Sequence, residues 1–333
     1  MVKKFFSIFI FSIFILSFFT LLLNYLIDPL WFFSGNKITK INYSWDERSQ
    51  KLHRFIKTYK NKKINCLIFG SSTSTVINTS RIKKYNCYNF SFSGGSLREY
   101  YEILEYLKKI INPEIIVLEV NFNLNEINNN IDRLPVLIIK KEIDYNISYI
   151  LKNYLSLDSL RFSFLTLINK PTLLTAFNIE FEPFVLADSE KYKKYINNKI
   201  EINPKIEFYS NSDVFIKIKN SYPQSKLIGF IHPFHPKYPL AIYQAGKLNS
   251  YLDTVIRISK NFDEFYDFAI PSEINSDNNN NYDGSHYYPH VYDIVIDRIF
   301  LQNENNYGIS LNNKYINYKE EYKKKIIFSN NDK

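Results

Sequence analysis

Residues 64–74 read Ile-Asn-Cys-Leu-Ile-Phe-Gly-Ser-Ser-Thr-Ser. An apolar run stops at Gly70 and gives way to a turn crowded with hydroxyls, which is how a strand buried on both faces ends. Residues 87–90, 114–120, 226–231 and 262–269 repeat the apolar run. Helical spacing fills the gaps: 97–111 ahead of Pro113, 239–259 with proline in its first turn, and a closing helix at 291–301. Strands alternating with helices predict an α/β domain whose parallel sheet is covered on both faces.

Outward from this frame, residues 5–27 carry no charge and are mostly Phe, Ile and Leu. As a helix they would be roughly 35 Å long, enough to cross a hydrocarbon core of about 30 Å. The run is too long for a cleaved leader and lacks small residues at its end. It predicts an uncleaved signal anchor at residues 1–28. Lys3 and Lys4 would stay in the cytoplasm, and everything after Pro29 would lie outside it. Tyr25, Trp31, Phe32 and Phe33 supply aromatics for the far interface. Residues 29–63 read as a linker and a juxtamembrane helix at 45–59, with Ser44 as its N-cap. The α/β domain spans 64–302. A helical insertion at about 126–225 interrupts it, with helices at 143–155 and 159–169 and a mixed polar stretch at 191–200, and is expected to cap one end of the sheet. Four consecutive asparagines at 278–281 mark a loop. Residues 303–333 form a basic tail.

Composition narrows the function classes. Of 333 residues 45% are hydrophobic and 23% charged, which excludes a disordered or low-complexity chain. Two cysteines, Cys66 and Cys87, exclude a disulfide scaffold and an all-cysteine zinc site. The net charge of +9 is spread along the chain except near Lys314, Lys319, Lys323, Lys324 and Lys325. No nucleic-acid motif accompanies it. These lysines read as a solvated face, or as attraction to an anionic membrane or surface polymer.

Catalytic groups in open parallel sheets gather at the carboxyl ends of the strands. Those ends carry Gly70-Ser71-Ser72-Thr73-Ser74, then Asn89-Phe90-Ser91-Phe92-Ser93-Gly94-Gly95, then Glu119-Val120-Asn121-Phe122-Asn123, and after the fifth strand Asp283-Gly284-Ser285-His286. Each block alone is an ordinary cap or turn. In this order they make a complete acyl-transfer set: a serine, two oxyanion donors and an Asp-x-x-His.

This pattern resembles the SGNH/GDSL hydrolase superfamily, whose blocks are Gly-Asp-Ser, a Gly, an Asn and Asp-x-x-His. The resemblance covers roughly residues 64–125 and 226–301. The Gly70-Ser71-Ser72 form is similar to the membrane-anchored branch that includes D-alanyl-lipoteichoic acid transfer proteins. The wider pattern is similar to single-anchor bacterial relatives, through Asp46-Glu47-Arg48-Ser49-Gln50-Lys51, Pro233-Phe234-His235 and Tyr266-Asp267-Phe268. It implies a flavodoxin-like three-layer αβα sandwich with a five-strand parallel sheet in the order 2-1-3-4-5. It also implies Ser72 as nucleophile, His286 as base, Asp283 as orienting carboxylate, and Gly94 and Asn123 in the oxyanion hole. Two departures stand out. Ser71 replaces the usual Asp, and the third block reads Asn121-Phe122-Asn123-Leu124 instead of Gly-x-Asn-Asp, which leaves Asn121 and Asn125 as alternatives.

The chemistry asks for these residue types. A serine hydroxyl needs an adjacent base, and imidazole suits proton shuttling near neutral pH. Asp283, three residues before His286, can fix its tautomer. Ser72 is preferred to Ser71 because it stands at the turn into a following helix, where its N–H also joins the oxyanion hole. His232 and His235 flank Pro233 and read as substrate contacts, without the acidic neighbours of a metal site. His290 and His53 read as solvent-facing. Cys66 and Cys87, on neighbouring strands, read as two buried thiols, with a disulfide as the alternative outside the cytoplasm.

The set calls for no cofactor and no metal. It points to a membrane-bound extracytoplasmic acyltransferase or esterase acting on a cell-surface glycan or polymer beside a membrane-bound O-acyltransferase. A non-catalytic binding module of the same fold is the alternative. A phosphate-binding loop does not fit, because its glycines and lysine are absent.

Overall fold

The computed structural model describes residues 2–120, 147–171, 174–186, 208, 212–301, 306–311 and 317–331. In chain order its first elements are α1 (Val2–Ile27), β1 (Ile41–Tyr43), α2 (Glu47–Lys62), β2 (Cys66–Phe69), β3 (Cys87–Asn89), α3 (Leu97–Leu107) and β4 (Ile115–Glu119). Then come α4 (Ile147–Tyr154), α5 (Leu157–Leu167), β5 (Thr175–Asn178), β6 (Pro183–Val185), α6 (Ser212–Ser221) and β7 (Lys226–Ile231). The rest are α7 (Lys237–Gln244), α8 (Leu248–Ser259), β8 (Glu264–Asp267), α9 (Glu273–Ser276), α10 (Pro289–Ile296), β9 (Ile309–Ser310) and α11 (Tyr318–Asn331). They fall into two compact units, residues 1–61 with 137–186 and residues 62–136 with 187–333.

The second unit is a mixed α/β structure around a mostly parallel sheet in the order β3-β2-β4-β7-β8-β9. β2, β3, β4, β7 and β8 run parallel, and β9 pairs antiparallel with β8. Every residue of β2 and β4 is buried, as continuous apolar runs demand. The expected five strands are therefore six, and the sixth comes from the segment read as a tail. α11 belongs to the same body: Tyr318, Tyr322 and Ile326 are buried, spaced along one helix face. The tail is part of the fold because its aromatic positions, rather than its lysines, decide its packing. Lys314 lies outside the described residues.

Other boundaries shift for local reasons. The helix expected over 239–259 is two helices, α7 and α8, parted at Gly246, whose φ of +70° only glycine adopts freely. α3 opens with a capping box, Ser96 and Glu99 each bonding the other's backbone N–H. The closing helix begins at Pro289 and its last turn, Asp297–Leu301, widens to π geometry. Cys66 and Cys87, directly opposite each other on β2 and β3, form a disulfide, so the reading as free thiols is corrected. Pairing depends on register, which the spacing of the two cysteines does not specify.

In the first unit α1 is long and apolar enough to cross a membrane. β1, β5 and β6 form an antiparallel sheet in the order β1-β5-β6. Both α4 and α5 pack on α1. The described residues 147–186 of the expected insertion thus build one body with the N-terminal segment, because β1 finds its strand partner about 130 residues along the chain. Residues 191–200 and 121–146 lie outside the described residues.

Two expectations fail here. Ser44 does not cap α2: its hydroxyl donates to the Thr175 carbonyl at 2.6 Å, and Asp46 accepts from the Ser49 N–H instead. His53 is buried rather than solvent-facing. Its ring stacks on Phe32 at 4.0 Å between centroids, Nδ1 lies 2.9 Å from the Leu30 carbonyl, and burial pushes its pKa down to about 4.

Candidate active site

The carboxyl end of β2 meets the loop between α9 and α10, and there Ser72, His286 and Asp283 come together. Ser72 Oγ lies 2.8 Å from His286 Nε2, and His286 Nδ1 lies 2.7 Å from Asp283 Oδ2. The other oxygen of Asp283 accepts the backbone N–H groups of Ser285 at 2.9 Å and His286 at 2.7 Å. One carboxylate therefore holds both the loop and the imidazole. With Nδ1–H donating to Asp283, Nε2 presents its lone pair to the Ser72 hydroxyl. Burial raises the Asp283 pKa, but the hydrogen bond and charge of His286 and the two backbone donors outweigh it, and the group stays below the ordinary carboxylate range. Tyr282 stacks on the His286 imidazole, 5.5 Å between centroids and near parallel.

Why Ser72, within the five consecutive hydroxyl residues 71–75, faces the histidine is decided by a residue to which the sequence reading gave no role; the last of the five, Thr75, donates to the Ser72 carbonyl at 2.7 Å. Glu119, the last residue of β4, is fully buried. It accepts the Ser71 hydroxyl at 2.7 Å, the Thr73 hydroxyl at 2.8 Å, the Ser71 N–H at 3.2 Å and the Ser74 hydroxyl. Each hydroxyl has one proton to give. Three of the four protons between Ser71 and Ser74 go to Glu119, and the fourth goes to His286. Asn89, at the end of β3, ties the same turn from the other side, donating to the carbonyls of Ser74 at 2.9 Å and Ile77 at 3.2 Å. Gly70 makes the approach feasible: a Cβ there would sit 2.6 Å from Glu119 Oε2 and from Ser74 Cβ. The available signal was an acid closing the otherwise apolar strand Ile115–Glu119. A lone carboxylate inside a sheet is costly unless donors surround it.

The turn itself differs from expectation. After β2 the chain enters a five-residue 3₁₀ turn, Ser72–Val76, and not an α-helix, so Ser72 stands at the start of one short turn and not at a helix N-terminus. Gly94 lies in the turn after β3, on the same side of the sheet as the end of β2. Asn123, with its alternatives Asn121 and Asn125, lies outside the described residues.

His232 and His235 follow β7. His232 is fully buried, its Nδ1–H donates to the Pro233 carbonyl at 2.9 Å, and Nε2 has no hydrogen-bond partner among the described residues. Burial lowers its pKa against the charges of Glu119 and Asp283, which keeps the ring neutral. His235 serves the framework. Its backbone N–H donates to the Gly284 carbonyl at 3.0 Å and its Nδ1 accepts from the Lys237 N–H at 3.3 Å, joining the β7–α7 loop to the loop of Asp283. His290 is exposed, with Nε2 2.9 Å from Asn280 Oδ1. Among the described residues no group of three or more His, Cys, Asp or Glu is placed to hold a metal ion.

No protein-family model matches the chain, and neither characterised proteins nor solved structures give a match.

Proposed function

We propose that this chain is a membrane-anchored, extracytoplasmic serine acyl-ester enzyme of SGNH type, an O-acyltransferase or esterase acting on a cell-surface glycan or polymer. The observation that carries the reading is the relay Ser72–His286–Asp283, with contacts of 2.8 and 2.7 Å. The order of the five parallel strands, β3-β2-β4-β7-β8, supports a flavodoxin-like core of that type. The α1 helix and the Cys66–Cys87 disulfide support a domain held at a membrane on its oxidising side.

In this reading His286 Nε2 takes the Ser72 proton as Oγ attacks the ester carbonyl. The tetrahedral oxyanion is received by the backbone N–H groups of Ser72 and Gly94 and the Asn123 amide. The intermediate collapses, His286 returns the proton to the leaving alcohol, and an acyl-Ser72 ester remains. A second hydroxyl, from water or a sugar, gives its proton to His286 and attacks the acyl group, which releases Ser72. The anchor favours transfer over release, since it keeps the domain near a membrane-bound O-acyltransferase as acyl source.

A fluorophosphonate probe tests the reading. Covalent labelling at Ser72, lost in both Ser72→Ala and His286→Ala, is the expected result. A folded protein that never labels, and whose loss leaves polymer acylation unchanged, fits a binding module instead.

A further inference from the structure

α5 is built inside out. It buries Ser159, Ser163 and Thr166. It exposes Leu157 at 81%, Phe164 at 56% and Leu167, and Ile168 follows on the same exposed surface. α4 shares the outward apolar residues, with Ile147 at 67% exposed and Leu151 at 41%, and Leu155 just after it is also exposed, while Tyr154 is buried. A helix at the surface of a protein in water shows the opposite arrangement, with its apolar stripe inward. Small and hydroxyl residues inward and large apolar ones outward is how helices associate when their outer solvent is lipid.

The position of the pair says at what depth. Ser163 Oγ donates to Asn24 Oδ1 at 2.6 Å, and Asn24 Nδ2 donates to the Tyr154 carbonyl at 2.7 Å. Leu21 joins the cluster of Leu30, Phe32 and Tyr154, together with Tyr149, Ile150 and Phe162. The docking point is therefore the last two turns of α1. A spanning helix needs about 20 apolar residues. Counted from Phe5, the first residue after Lys4, that length ends near Asn24. α4 and α5 thus sit where hydrocarbon gives way to headgroups. Both polar atoms of the Asn24 side chain thus find a partner there, in α4 and α5, as buried polar groups at a bilayer edge must. Lys152, Arg161 and Lys170 are exposed on the same segment against a single Asp158. On the same side, Lys37 Nζ lies 4.0 Å above the Tyr25 ring and bonds the Tyr25 carbonyl at 2.6 Å, an interfacial aromatic with a cation above it.

We infer that α4 and α5 form a second, non-spanning membrane contact, with Ile147, Leu151, Leu157 and Phe164 seated among lipid acyl chains beside the C-terminal end of α1. The first unit then meets the bilayer through a three-helix surface and not through one helix alone. The inference rests on α1 crossing the membrane and is independent of the acyl chemistry.

The test uses the full chain in phosphatidylethanolamine–phosphatidylglycerol vesicles, with an environment-sensitive dye on Leu157→Cys, Phe164→Cys, Phe14→Cys or Lys260→Cys. The two native cysteines are paired and leave the new thiol as the one to label. Lipids with a spin label high on the acyl chain should quench the dye at 157 and 164 at least twofold more than at 260, and aqueous iodide should do the reverse. Dye at 14 should be quenched by lipid alone. Iodide quenching at 157 and 164 equal to that at 260 overturns the inference. So does shielding from both quenchers, which would mean that protein covers the face. If dye at 14 is reached by iodide, α1 does not span and the inference falls with it. Fluorophosphonate labelling of Ser72 in the same vesicles reads the proposed chemistry separately.

Discussion

Two strands of the same sheet, β4 and β8, end in a fully buried carboxylate, Glu119 and Asp267, and the two ends do different work. Glu119 is met by four donors, all from the turn that carries Ser72. Asp267 is met by the Tyr318 hydroxyl at 2.5 Å and the Ala269 N–H at 2.8 Å, with Tyr251 and Tyr322 nearby. Its pKa is pushed up to about 6, since burial outweighs two hydrogen bonds. One acid spends its acceptor capacity on the aim of a single hydroxyl. The other fastens α11 to the sheet. A buried carboxylate at a strand end is therefore a function clue only through what donates to it.

The comparison breaks most sharply at Ser72. Ser72→Ala should cut acyl turnover on the order of 10⁶-fold and abolish probe labelling, with thermal stability nearly unchanged, since the half-exposed hydroxyl contributes little to packing. Unaltered labelling would move the nucleophile elsewhere.

Next comes Glu119→Gln. The amide nitrogen cannot accept, so the donors at one oxygen lose their partner, and Ser72 loses its aim. Probe labelling should slow by about 10²- to 10³-fold, alongside a stability loss of about 2 kcal/mol. Gly70→Ala should act in the same direction, because its Cβ meets Glu119 and Ser74. If Glu119→Gln lowers stability but leaves the labelling rate of the folded protein intact, the two ends are alike after all.

Asp267→Asn should do the reverse, leaving labelling unchanged and altering the pH dependence of stability. A folded pKa of about 6 against an unfolded value of 3.8 means that the folded state keeps a proton the unfolded chain releases. Stability from this group is fully present below about pH 4 and is lost as pH rises through 6, about 3 kcal/mol in all. Denaturant unfolding at pH 4, 5, 6 and 7 should show that decline in the parent chain and a flatter profile in the variant.

Breaking the Cys66–Cys87 disulfide by a double alanine substitution should cost about 3 kcal/mol by its loop length. The bond joins the starts of β2 and β3, at the opposite end of the strands from Ser72, so labelling of the protein that remains folded should persist. The smallest change is expected for Ser71→Ala. It removes one of four donors to Glu119 but not the relay, so the labelling rate should stay within about tenfold.

What the sequence determined by itself was local. The apolar run of α1, the buried strands, and the Asp283–His286 pair within one loop all depend on neighbours a few residues apart, and periodicity or spacing reports such neighbours directly. The break at Gly246 was equally local and was written in the glycine. Tertiary structure decided the rest. The disulfide needed the register of β2 against β3. The role of Glu119 needed the adjacency of two strand ends 45 to 48 residues apart. The allegiance of β5, α4 and α5 to the N-terminal segment needed pairings across more than 120 residues. A one-dimensional pattern records which face of an element is apolar, but not which distant element covers it. Donors and acceptors from separate segments find one another only when the whole sheet is assembled.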